Sequence, residues 1–267
     1  MIKAIPLAMA AASFIFSVMA FAESGHDGGH SSGGHDSSGH SGAHWSYEGR
    51  EGPERWGDLG YPLCEGKNQS PVDISKSAPV GLDEIEYRYS PSPVDMINNG
   101  HTIQFNYAPG SSIRVGGVNY ELVQFHFHAP SENTISGRTY PMEMHLVHKS
   151  NEGKLAVVGV FLKSGGYSGE NDSIDAVFRT MANRSGHSSG RIDAIDLLPS
   201  DHTYYHFMGS LTTPPCSEGV AWFVMKEPIE VSRDQLAIFQ SIYDNNARPP
   251  QPWNNRIVYT GTSGAGH

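Results

Sequence analysis

The chain has 267 residues, with 18 Lys and Arg against 28 Asp and Glu, and a formal net charge of −10. Hydrophobic residues at 38% and aromatics at 10% can build a sizeable core, which excludes wholesale disorder. The acidic balance argues against a nucleic-acid partner, which needs a basic face to displace counterions, and two cysteines exclude a disulfide-dense mini-scaffold or a cysteine-built metal cluster. The unusual count is 14 histidines, since imidazole is the commonest metal-ligating side chain and titrates near neutral pH.

Residues 1–22 read as a secretory signal peptide. Lys3 supplies a positive start, an apolar run follows, and Ala20-Phe21-Ala22 gives the small-x-small cleavage pattern. The competing reading is an uncleaved anchor, although the run is at the lower limit for spanning a bilayer. Cleavage implies a chain exported to the periplasm or secreted, with no membrane association. Residues 23–43 are Gly, Ser, Asp and His without a core former, so they form a flexible tail. Its His26, His30, His35 and His40 are either solvated linker residues or a weak metal-gathering tract. No second linker or internal repeat follows, which gives one domain over 44–262 and a short tail at 263–267.

In chain order, residues 103–107, 120–128, 142–148, 155–162 and 220–225 read as strands. The stretch 155–162 is apolar on both faces, as a covered central strand is. Residues 172–181 and 233–243 read as helices. In the second, Ser232 and Gln235 make a capping box, and Leu236, Phe239, Ile242 and Tyr243 form one apolar face. The fold class is mainly β with few, short helices.

Strand alternation puts Gln124, His126 and His128 on one face, and Val123, Phe125 and Phe127 on the other, core-facing one. A second strand carries Glu143 and His145 on one face, with His148 opposite as a buried structural histidine. Paired antiparallel, with opposed Cβ atoms about 5 Å apart, the two strands let His126, His128 and His145 converge on one ion at Zn–N distances of about 2.0–2.1 Å. Gln124 and Glu143 each lie two residues before a histidine, placed to accept a hydrogen bond from a ligand's other ring nitrogen. Three neutral imidazoles with no fourth protein ligand leave a coordination position open, the arrangement of a catalytic zinc site.

Asn68-Gln69-Ser70-Pro71-Val72-Asp73-Ile74, Asn98-Asn99-Gly100-His101, Gln124 to His128 leading into Pro130-Ser131-Glu132-Asn133, Glu143 to His148, and Ser210-Leu211-Thr212-Thr213-Pro214-Pro215-Cys216 stand in one order along the chain. With these motifs the chain resembles the α-class carbonic anhydrases, in particular bacterial exported ones, over nearly all of its globular part. The resemblance implies a large twisted, mostly antiparallel sheet with a conical cavity and one zinc ion at its floor. It implies His126, His128 and His145 as ligands, oriented by Gln124, the backbone near Asn246, and Glu143. Thr212 would accept from a zinc-activated hydroxide and donate to Glu132. Val147, Val157, Leu211, Val220 and Trp222 would form an apolar wall for carbon dioxide, and Tyr47, Asn99, Gln104 and Thr213 a polar wall ordering water.

The implied reaction is the reversible hydration of carbon dioxide to bicarbonate and a proton, with His101 as proton shuttle. Cys64 and Cys216 match positions that form a disulfide in exported members, and two cysteines in an exported chain already favour pairing. Those members also suggest a homodimer. One departure is Phe207, where the family pattern has a tyrosine. The alternatives to the enzyme are a non-catalytic zinc-binding module on the same fold and a metal buffer centred on the His-rich tail.

Overall fold

The computed structural model describes residues 43–165, 171–184 and 186–261. The expected signal peptide, nearly all of the histidine-rich tail and the C-terminal tail lie outside the described residues. The described strands are β1 (Ala78–Val80), β2 (Glu86–Arg88), β3 (Ser92–Asn98), β4 (Ile103–Asn106), β5 (Ser112–Val115), β6 (Val118–His128), β7 (Met142–Ser150), β8 (Leu155–Ser164), β9 (His187–Ile192), β10 (Tyr204–Ser210), β11 (Glu218–Met225), β12 (Ile229–Val231) and β13 (Tyr259–Gly261). Two α-helices join them, α1 (Asp172–Asn183) and α2 (Arg233–Gln240).

The strands form one large mixed, twisted sheet in the order β1-β13-β10-β11-β8-β7-β6-β4-β3-β9, with β12 on β8 and β5 joining β2 to β6. Most pairs are antiparallel; β11 and β12 run parallel to β8, and β1 parallel to β13. The two-faced apolar pattern of β8 has a direct cause. Ala156, Val158, Val160 and Leu162 enter one core with Phe125, Phe127, Leu146 and the buried faces of both helices. Val157 and Phe161 enter a second core with Val220, Trp222 and Phe207. Alternate side chains of one central strand thus feed separate apolar layers.

Strand β6 departs from strict alternation. Its register against β7 runs from Leu122↔His148 to Gln124↔Val147, so Val123 is an extra residue in a bulge. Val123 is 46% exposed rather than core-facing, and Leu122, 1% exposed, takes the core position beside Phe125 and Phe127. From Gln124 onward the expected alternation holds. Phe125 stacks on Phe105 of β4 at 4.9 Å between centroids, a pairing worth about 0.5–1.5 kcal/mol beyond burial.

Helix α1 starts where the Asn171 side chain accepts from Ile174 N, and α2 where Ser232 and Gln235 close a reciprocal capping box. Helix α2 ends at Gln240, short of the expected 243. The N–H groups of Ile242 and Tyr243 both turn back to the Phe239 carbonyl, which tightens the chain out of the helix. Leu236 and Phe239 carry the buried face, with Ile242 and Tyr243 packed partly against the same core beyond it.

Candidate metal centre

The register that sets β6 against β7 places His126 directly opposite His145, and His128 opposite Glu143. The three rings sit 4.7–5.3 Å apart by centroid. One nitrogen from each lies within 4.8 Å of the other two, with His128 and His145 buried and His126 partly so. Each remaining ring nitrogen faces an acceptor, hydrogen-bonded in His126 and His128 and at ion-pair distance in His145. His126 Nδ1 is 2.8 Å from Gln124 Oε1, His128 Nδ1 is 2.7 Å from the Asn246 carbonyl, and His145 Nε2 is 3.1 Å from Glu143 Oε1. These contacts leave Nε2 of His126, Nε2 of His128 and Nδ1 of His145 for a common point. His128 Nε2 is buried with no hydrogen-bond partner, a costly state for a polar atom unless something else binds it.

Burial lowers the pKa values of His126 and His128 well below the usual imidazole value, and their histidine neighbours lower them further. Neutral rings are what metal ligation requires. For His145, burial also pulls downward, but the Glu143 carboxylate and then Glu132 outweigh it and the value rises. The donor set of three imidazoles, each with its second nitrogen facing an acceptor, fits zinc and leaves room for a non-protein ligand.

Around this centre, Glu143 is itself clamped: Asn133 donates from its backbone N and its side chain, at 2.8 and 2.7 Å. Gly159 faces His145 across β7 and β8. A Cβ there would stand 3.1 Å from Glu143 Oε1, so the small residue leaves the carboxylate its place. Glu132 is buried; its Oε1 accepts from Arg248 N at 2.9 Å, and its Oε2 lies 3.5 Å from His128 Nε2. Burial pushes its carboxyl up to about 7, against the opposing pull of His145, the Arg248 amide and the Thr212 hydroxyl. Sequence reasoning named neither Asn133 nor Gly159 nor Arg248 as a site residue, because each acts through a contact that only the folded sheet creates.

Val157, Val220 and Trp222 are buried in one apolar cluster, with Val147 and Leu211 packed against it. The Trp222 ring meets His145 edge-on at 4.9 Å, and its Nε1 donates to the Ser210 carbonyl at 3.0 Å. Phe207 stacks parallel to Trp222 at 6.0 Å and brings no hydroxyl to this region. Gly209 allows the close approach beside it, since a Cβ there would meet Ser70 Oγ at 2.1 Å.

On the polar side, Asn99 donates to Gln104 Oε1 at 3.4 Å. The Tyr47 hydroxyl is buried without a partner, and burial, with Glu132 and Tyr243 nearby, raises its pKa. His101 lies stacked on Trp45 at 3.6 Å and is partly buried. Burial, and secondarily His44, lowers its pKa. Cys64 and Cys216 form a disulfide packed with Trp56. Cys216 N donates to the Thr213 carbonyl at 2.9 Å, which ties the bridge to the Thr212-Thr213 segment. His148 is fully buried and its Nε2 pairs with the Tyr89 hydroxyl at 2.8 Å.

Among the described residues, a thirteen-stranded mixed sheet presents, from adjacent strands, three converging imidazoles that could hold one metal ion. The sequence profile of the eukaryotic-type carbonic anhydrases matches residues 51–262. A carbonic anhydrase of Klebsiella pneumoniae is 45% identical over 225 residues, covering 81% of this chain and 90% of that protein. One of Neisseria gonorrhoeae is 45% identical over 220 residues, covering 80% and 87%. The α-carbonic anhydrase of Thermovibrio ammonificans, solved with the inhibitor sulfanilamide, matches with a TM-score of 0.77 and 46% identity, over 82% of this chain and 99% of that one. The chain belongs to the eukaryotic-type, or α, carbonic anhydrase family and is an enzyme of it. Among the described residues no helix is long and apolar enough to cross a membrane.

Proposed function

We propose that the protein binds one zinc ion through His126, His128 and His145 and catalyses the reversible hydration of carbon dioxide to bicarbonate and a proton. The observation that carries this reading is the convergence of three imidazole nitrogens, with His128 Nε2 buried and without a hydrogen-bond partner. Zinc supplies a Lewis acid that lowers the pKa of a water to about 7, a value for which carbonic anhydrase is itself the standard example.

The chain's own residues do the rest. Gln124, Glu143 and the Asn246 carbonyl fix the tautomer and direction of each ligand ring. Thr212 gives its hydroxyl proton to Glu132, so its oxygen offers only lone pairs toward the nucleophile. That arrangement selects for groups able to donate a proton and fixes the direction of attack. The apolar wall of Val147, Val157, Leu211, Val220 and Trp222 holds carbon dioxide, which has no net dipole, and excludes water from its side. Tyr47, Asn99, Gln104 and Thr213 order the water path on the other. His101 takes the departing proton at an imidazole nitrogen and hands it to buffer, a role suited to a group that titrates near neutrality.

We place the catalytic domain at 44–262 and take residues 1–22 to be removed on export; the disulfide suits an oxidising compartment. Stopped-flow carbon dioxide hydration tests the reading. Activity that a chelator abolishes, zinc restores and a sulfonamide inhibits is expected; activity indifferent to the chelator, or none at all, overturns it.

A further inference from the structure

The polar wall contains a hydrogen-bonded ladder of side chains. On β3, Val94 and Met96 enter the core, and on β4 so do Ile103 and Phe105. Alternation therefore turns Asp95, Gln104 and Asn106 to the other face. That face holds the ligand rings, for β4 pairs with β6 at Gln104↔His126 and Asn106↔Gln124.

Three amides along this face are joined in series. Asn106 Nδ2 donates to Asp95 Oδ2 at 3.1 Å, and Gln104 Nε2 donates to Asn106 Oδ1 at 2.7 Å. Asn99 Nδ2 donates to Gln104 Oε1 at 3.4 Å. Asn99 Oδ1 in turn accepts from the backbone N–H groups of His101 and Thr102 at 3.0 and 2.9 Å.

The two ends of the ladder can be read only one way. An ionised carboxylate accepts and cannot donate, so the Asn106 amide must turn its NH₂ to Asp95. Backbone N–H groups donate and cannot accept, so Asn99 must turn its oxygen to the His101 turn. Both ends demand the same direction, and Gln104, the one amide between them, complies without a conflict. Reversing any one amide would set two donors or two acceptors face to face.

We infer that Asp95 is a positioning residue: it anchors the far end of the ladder, holding Asn106 and through it Gln104, so that Gln104 Oε1 stays in the polar wall as the acceptor for the Asn99 amide, which the His101 turn itself orients. Asp95 touches neither ligand nor substrate. Its effect falls on the step that uses the polar wall, the transfer of the proton to His101, and so rests on the shuttle reading above. The attack on carbon dioxide, across the cavity on the apolar wall, is untouched.

The test compares Asp95→Ala and Asp95→Asn with the parent chain. NMR of the side-chain amides in the zinc-free protein reads the ladder without any activity. Asn106 and Gln104 each give one set of amide signals in the parent and doubled or exchange-broadened signals in Asp95→Ala, while Asn99, held by the backbone N–H groups of His101 and Thr102, keeps one set. In the zinc-loaded enzyme, Asp95→Ala lowers kcat in weak buffer about fivefold, the scale of one lost positioning hydrogen bond. Zinc content and kcat/KM stay unchanged, and added imidazole restores kcat. Asp95→Asn keeps an acceptor oxygen and falls between. Unchanged amide signals in folded Asp95→Ala overturn the inference, as does a joint fall of kcat, kcat/KM and zinc content, which marks a general structural role. If His101→Ala itself leaves kcat unchanged, the shuttle reading fails, and the amide signals still decide whether Asp95 sets the ladder.

Discussion

Replacing Cys64 and Cys216 together by alanine opens a cross-link between residues 152 apart in sequence. A chain-entropy treatment of a loop that long gives about 5 kcal/mol of stabilisation, and removal of native disulfides typically costs about 2–5 kcal/mol. Alanine adds no polar group to the buried site beside Trp56, so the perturbation is confined to the cross-link and a small loss of packing. Each kcal/mol moves the melting temperature of a domain this size by roughly 2–4 °C, which sets the expected fall at roughly 4–20 °C. The local segments keep other anchors: Arg248 donates to the Cys64 carbonyl at 2.8 Å, and Gln69 to the Cys216 carbonyl at 3.1 Å. The variant should therefore fold at 25 °C and differ mainly in stability. Circular dichroism melts of the oxidised chain, the chain with reduced thiols verified by mass, and the double variant provide the assay. Melting temperatures that coincide across the three would show that the bridge adds no stability.

His101→Ala should keep its zinc and its kcat/KM but lose kcat in weak buffer, with recovery on adding imidazole; full turnover in weak buffer would dismiss the shuttle. Thr212→Val removes the hydroxyl while keeping the side chain's shape, and kcat/KM should drop on the order of a hundredfold as the nucleophile loses its alignment; a change under about threefold would contradict the gate. His148 supplies an acid-stability prediction. Burial lowers its pKa to about 3, so the folded state binds the proton less readily than the unfolded chain, whose value is about 6.5. Its contribution is complete above that unfolded value and is lost as pH falls toward 3, amounting to roughly 2 kcal/mol between pH 6.5 and 5. Urea melts of the parent and of His148→Gln should show the steeper pH dependence in the parent, and parallel curves would refute it.

The three-histidine group was legible because its geometry is local. His-x-His on one strand and Glu-x-His on its neighbour need only alternation and pairing, and the register His126↔His145 supplies both. The two-sided burial of β8 was legible for the same reason. The bulge at Val123 was not, since no glycine or break in polarity marks it; the need to seat Leu122 in the core and still aim Gln124 at His126 imposes it. Arg248 and the Asp95–Asn106 pair were also hidden. Arg248 reaches Gln69 and Ser70 across 178 or 179 residues of chain, and nothing in an isolated polar residue announces which carbonyl it will meet. The disulfide pairing and the role of Thr212 came from family resemblance; the fold forms the disulfide and ties it to the neighbouring Thr213 carbonyl.

The most direct test of the central claim is a zinc titration into chelator-stripped protein, with carbon dioxide hydration followed by stopped flow. Hydration should be absent at the start, rise in proportion to added zinc, and level off at one equivalent bound at His126, His128 and His145. Hydration by the stripped protein, or zinc bound at those three residues with no hydration, would contradict the account.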